Sequence, residues 1–62
     1  MPLIEVKLYD RRVTEESVPK IIHELTEGLV RGCEDEGVRE HVHVIVEGVS
    51  PKNWGVAGKP TG

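Results

Sequence analysis

The order of the periodic segments constrains the fold of this chain most. Residues 2–9 alternate between apolar and polar side chains, as a strand with one buried face does. An apolar stripe at helical spacing follows, formed by Val18, Ile21, Ile22, Leu25, Leu29 and Cys33. Residues 41–47 alternate again, with valines on one face. One long helix between two strands predicts a β-α-β unit whose strands are parallel and whose crossover is right-handed.

Local signals refine the ends of these segments. Pro2 suits the first position of a strand because it has no N–H to give to a ladder. Either Thr14 or Ser17 is a candidate N-cap for the helix. The tail, residues 48–62, is rich in Gly and Pro, and Gly55 and Gly58 favour a short hairpin there.

The chain is too small to bury a large core alone. At 62 residues and 6.9 kDa, it would bury only about 60% of its unfolded surface. The single cysteine, Cys33, excludes an intrachain disulfide, and no Cys/His spacing indicates a structural zinc site. A two-stranded sheet also has bare edges that must be covered. The sequence therefore predicts one α/β domain over residues 1–62, a parallel β-α-β unit with a short C-terminal hairpin, completed by oligomerisation.

Charge and hydropathy exclude several partners. The net charge of −3 and the pI near 5.5 argue against nucleic-acid binding, which normally needs a basic face. No segment approaches the roughly 18 apolar residues of a membrane span. With no signal-peptide pattern and a single thiol, we expect a cytoplasmic protein that contacts neither membrane nor nucleic acid.

Pro2 is the first candidate for chemistry. Removal of Met1 would leave Pro2 with a free secondary amine, and an α-amine has a pKa of about 8. An apolar pocket or nearby cations would lower that pKa and leave the amine neutral. A neutral amine is a usable general base, or a nucleophile toward carbonyls. The alternative is that the chain begins with Met-Pro by chance and that Pro2 has no role in chemistry.

Four features in one order resemble the 4-oxalocrotonate tautomerase family. They are the start Met1-Pro2-Leu3-Ile4, Arg12 ten residues beyond the proline, the strand His43-Val44-Ile45-Val46-Glu47, and the segment Trp54-Gly55-Val56-Ala57-Gly58. The resemblance covers nearly the whole chain. It implies a β-α-β subunit of a hexamer, built as a trimer of dimers, or of a hetero-oligomer with a paralogue.

The resemblance also implies roles for single residues. Pro2 would be the general base that moves a proton in a small 2-hydroxy-2,4-dienoate or enol, such as 2-hydroxymuconate, without a cofactor. Arg12 would bind a substrate carboxylate, for which a guanidinium is well shaped, and Trp54 would line the pocket. Otherwise, Arg12 is a solvated surface residue and Trp54 fills a core or an interface. Two alternatives to a tautomerase stay open: a diverged dehalogenase-like or hydratase-like enzyme, and a catalytically silent subunit of a hetero-oligomer.

One position departs from the family pattern. The second important arginine of the family opens the second strand, where this chain has His43, and Arg39 lies four residues earlier. Either a protonated His43 polarises the substrate, or Arg39 reaches in from the loop, or the electrophile is missing. His41 and His43 are predicted to share a strand face, but two histidines without a third ligand do not make a metal site, and we expect none.

Overall fold

The computed structural model describes all 62 residues and confirms the β-α-β unit. Strand β1 spans Leu3–Tyr9, helix α1 spans Ser17–Cys33, and strand β2 spans His43–Val49. The two strands are parallel, with Leu3 paired to His43 and Tyr9 paired to Val49. A short antiparallel hairpin follows, formed by β3, Gly55–Val56, and β4, Lys59–Pro60. No helix is long and apolar enough to cross a bilayer.

Both predicted capping residues form hydrogen bonds at the start of α1, but the N-cap position is Glu16, whose side chain makes no capping hydrogen bond. The Thr14 N–H donates to Ser17 Oγ at 2.9 Å, and the Ser17 N–H donates to Thr14 Oγ1 at 3.0 Å. Each side chain thus satisfies a backbone donor of the other, as in a capping box. Pro19 lies in the first turn, where its missing N–H costs nothing. The helix ends at Cys33, and the C-cap residue Glu34 has a left-handed φ of 53° that closes the last turn.

The second strand begins later than the sequence predicts. A 3-10 helix occupies Glu36–His41, so β2 starts at His43 and His41 lies outside the strand. The Asp35 side chain accepts from the Gly37 N–H and begins this 3-10 segment. The prediction that His41 and His43 share a strand face was therefore wrong.

The apolar core is thin. Ile4, Val6 and Leu8 of β1 are half-buried, and only Val30 of α1 is fully buried, at 1% exposure. The opposite face of the sheet is open: Leu3 is 56% exposed and Ile45 is 50% exposed. The same face carries an ion pair between Lys7 Nζ and Glu47 Oε1 at 2.7 Å, which raises the pKa of Lys7 by hydrogen bonding.

The hairpin turn has the backbone that its strands require. Its two central residues, Ala57 and Gly58, have positive φ values of 53° and 83°. Positive φ at both central positions is the signature of a type I′ turn, whose twist matches that of the flanking strands. The hairpin predicted from Gly55 and Gly58 is therefore confirmed.

Candidate active site

Pro2 lies at the amino end of β1, next to the first residue of β2. Its carbonyl accepts a hydrogen bond from the His43 N–H at 3.0 Å. Pro2 is half-buried, whereas Met1 before it is 93% exposed. The parallel register therefore brings the backbones of Pro2 and His43 together at the amino end of the sheet.

Arg12 lies at the opposite end of β1. It ends a short 3-10 turn, Asp10–Arg12, that follows the strand. The Arg12 carbonyl accepts from Ser17 Oγ at 2.6 Å, so the start of α1 fixes its backbone. Its exposed guanidinium makes no ion pair and is free to bind an anion.

Gly48 of β2 makes room for that turn. A Cβ at Gly48 would lie 3.2 Å from Asp10 Cα and 3.2 Å from Val13 Cγ2. Because any larger side chain would push the turn away, the glycine lets the segment that carries Arg12 lie against β2.

Trp54 joins Arg12 at this carboxyl end of the sheet. Its ring meets that of Tyr9 edge to face, with ring centroids 5.0 Å apart and planes at 72°. The Arg11 guanidinium lies over the Tyr9 ring, 5.9 Å from its centroid, in a cation–π contact. Tyr9, Trp54 and Arg11 thus form one aromatic and cationic cluster, and Tyr9 was not among the residues predicted for the site. No local pattern reveals this contact, since 45 positions separate Tyr9 from Trp54 in the chain.

The two groups lie too far apart to meet within one chain. Strand β1 has seven residues, and at about 3.3 Å per residue it is about 23 Å long. Pro2 and His43 lie at its amino end, and Arg12 and Trp54 lie beyond its carboxyl end. A site that uses both groups needs a second copy of the chain.

Arg39 is bound by carboxylates. Its Nε and Nη2 donate to the two oxygens of Glu27 at 2.8 and 2.9 Å, and its Nη1 donates to Glu36 at 2.8 Å. These hydrogen bonds lower the pKa of Glu27 and raise that of Arg39, so the pair stays ionised. Glu27 is twelve positions from Arg39, so no local sequence pattern predicts the pair.

The two concavities of the chain differ in charge. One of about 500 Å³ is lined by Glu36, Gly37, Arg39 and Glu40, and its three carboxylate and guanidinium groups sum to a negative charge. The other, of about 280 Å³, lies beside Trp54 and is lined by Lys52 and Lys59 with no carboxylate. An anionic substrate is attracted to the second and repelled from the first.

No group of three or more His, Cys, Asp or Glu side chains is placed to hold a metal ion. The candidate site residues are Pro2 and His43 at one end of the sheet, and arginines with Trp54 at the other. Such a set suits proton transfer on a small anion.

Comparison with known proteins gives the family. The family model described as "Tautomerase enzyme" matches residues 2–62. A probable tautomerase of Ralstonia nicotianae is 42% identical over 60 residues, covering 97% of this chain and 81% of the relative. A probable tautomerase of Staphylococcus aureus is 31% identical over 58 residues, covering 94% and 90%. No solved structure matches the chain significantly. With its β-α-β fold and a match that begins at Pro2, the chain belongs to the tautomerase family.

Proposed function

We propose that this protein is a cofactor-independent isomerase that converts small 2-hydroxy-2,4-dienoates or enols, such as 2-hydroxymuconate, to their keto forms. The observation that carries the proposal is the position of Pro2. Pro2 is half-buried at the amino end of the sheet, where its carbonyl accepts a hydrogen bond from the His43 N–H. The match to the family model also begins at Pro2.

Pro2 acts as the general base once Met1 has been removed. With Met1 attached, the proline nitrogen is an amide and has no basic lone pair. The 93% exposure of Met1 leaves that residue open to an aminopeptidase. The free amine takes the proton of the 2-hydroxyl group, electrons move along the diene, and the same proton is returned to a carbon.

Cations stabilise the dienolate that develops during this transfer. Arg12 binds a substrate carboxylate with two parallel hydrogen bonds, and its charge also lowers the pKa of the proline amine. A protonated His43 polarises the substrate from the side of Pro2. Trp54 lines the pocket and excludes water, which strengthens these interactions.

Self-association completes the site, and we propose the homohexamer that the family resemblance implies. The chain exposes 4782 Å², against about 4,000 Å² for a compact monomer of its mass. Its radius of gyration is 14.1 Å, against about 11 Å for a compact domain of 62 residues. A molecule this flat and open is typical of a subunit whose faces are covered by other copies.

Subunit mixing tests both the reaction and the shared site. Pro2→Ala keeps Arg12, and Arg12→Ala keeps Pro2, so each variant alone has no complete site. If Pro2 of one copy works with Arg12 of another, dissociating and reassociating the two variants together restores part of the ketonisation of 2-hydroxymuconate. Two inactive variants whose mixture also stays inactive, although mixed oligomers form, would contradict the shared site.

A further inference from the structure

The ion pair between Glu27 and Arg39 is the only one that ties the 3-10 segment before β2 to helix α1. Both carboxylate oxygens of Glu27 accept hydrogen bonds from the Arg39 guanidinium. The Glu27 side chain is only 25% exposed. Glu36 adds a third hydrogen bond from within the 3-10 segment. We call Glu27 and Arg39 the clamp.

The clamp is close in sequence to His43, whose backbone is bonded to that of Pro2. The Arg39 carbonyl accepts from the Val42 N–H at 3.4 Å, and the next residue, His43, donates its N–H to Pro2. On the other side, Glu27 lies one helical turn before Val30, the one fully buried residue. The clamp therefore connects the entry of β2 to the part of α1 that carries the one fully buried residue.

The charge at the clamp is unfavourable for an anionic substrate. Two carboxylates surround one guanidinium, and Glu40 lines the same concavity. Every nitrogen of the guanidinium already donates to a carboxylate. Two of the five N–H groups of the guanidinium have no carboxylate partner, but a substrate carboxylate bound there would be repelled by the charges of Glu27 and Glu36.

We propose that Arg39 is a positioning residue: through Glu27 it holds the entry of β2 so that His43 stays beside Pro2, and it does not bind substrate itself. The inference rests on the proposed function, because the value of holding His43 there is catalytic. It distinguishes Arg39 from Arg12, whose guanidinium has no carboxylate partner.

The experiment compares Glu27→Gln, Arg39→Gln and the double variant, with Glu36→Gln as the matched control. Amide hydrogen exchange of His43 and of Val30 is measured by NMR, and kcat and KM are measured with 2-hydroxymuconate. Each clamp variant should speed exchange at His43 by about fivefold and leave Val30 unchanged. Each should lower kcat by a similar factor with KM altered less than about twofold. The double variant should be no worse than either single one, and Glu36→Gln should be close to wild type.

Three results would overturn the inference. Unchanged exchange at His43 in both clamp variants would mean that the pair does not hold it. Equal acceleration of amide exchange at His43 and Val30 would mean that the clamp stabilises the whole fold and does not hold His43 in particular. A raised KM in Arg39→Gln, with full or increased activity in Glu27→Gln, would make Arg39 a substrate ligand that Glu27 restrains. If the wild type has no ketonisation activity, the proposed function fails, while the exchange rates still decide whether the clamp holds His43.

Discussion

Replacing Ile45 by lysine should break the assembly without unfolding the subunit. Ile45 lies on the open face of the sheet and is 50% exposed in one chain. The surface of the chain exceeds that of a compact monomer by about 800 Å², which equals the share of one partner in a standard interface. This face, with Ile45 and Leu3 as its exposed apolar residues, is where we expect a second copy to bind.

The expected loss of dimer stability follows from the half of the Ile45 side chain that is exposed in the single chain. Burying a whole isoleucine is worth about 2 kcal/mol, so covering the remaining half contributes about 1 kcal/mol. A two-fold interface contains the residue twice, which makes about 2 kcal/mol per dimer, or about 30-fold in the dissociation constant, for Ile45→Ala. Ile45→Lys adds the cost of removing an ammonium group from water and should give monomers at micromolar concentration.

Sedimentation velocity at several micromolar concentrations measures this effect, and circular dichroism verifies that α1 is retained. Glu16→Gln is the matched control because it changes the net charge by the same one unit at an exposed position. It should sediment like the wild type. The reasoning would be refuted by an Ile45→Lys variant that sediments as the wild-type oligomer, or by a wild type that is a folded 7 kDa monomer.

Three further predictions concern other parts of the molecule. His43→Ala should lower kcat with 2-hydroxymuconate because the polarising group near Pro2 is lost, and His43→Arg should keep activity; wild-type kcat in His43→Ala would contradict the role of His43. Val30→Ala should lower the free energy of unfolding by about 2 kcal/mol in urea titration, since it leaves a cavity at the one fully buried position, and a loss below about 0.5 kcal/mol would contradict this. Arg39 holds the pKa of Glu27 below its ordinary value of 4.5, so the clamp stabilises the fold above that pH and is lost as the pH falls through the lowered folded value. The stability difference between wild type and Glu27→Gln should therefore shrink as the pH falls below about 4.5, and a difference that grows would contradict the pairing.

The main elements could be predicted from the sequence because each is encoded locally. Alternation over residues 2–9 and the stripe from Val18 to Cys33 identified β1 and α1, and Gly55 with Gly58 identified the hairpin. Even so, Ile22 and Cys33 of the stripe are exposed in the single chain. Helical periodicity reports that a face is apolar, but it does not report which molecule covers it.

The start of β2 and the geometry of the site could not be predicted in the same way. Residues 36–41 form a 3-10 helix that an Asp35 cap begins and that Arg39 ties to Glu27, twelve positions away, and no local pattern encodes that pair. Alternation alone therefore placed His41 in the strand. Pro2 and Arg12 could be named from the resemblance, but their separation follows from the length of β1, which lies between them.

The most direct test of the central claim is the rate of 2-hydroxymuconate ketonisation, measured by absorbance in wild type and in Pro2→Ala. Intact mass must first establish that Met1 is absent from both samples. If the proline amine is the general base, Pro2→Ala should keep its fold and assembly and lose at least about 100-fold in kcat. Wild-type turnover in Pro2→Ala, or in a sample whose mass retains Met1 on every chain, would contradict the account.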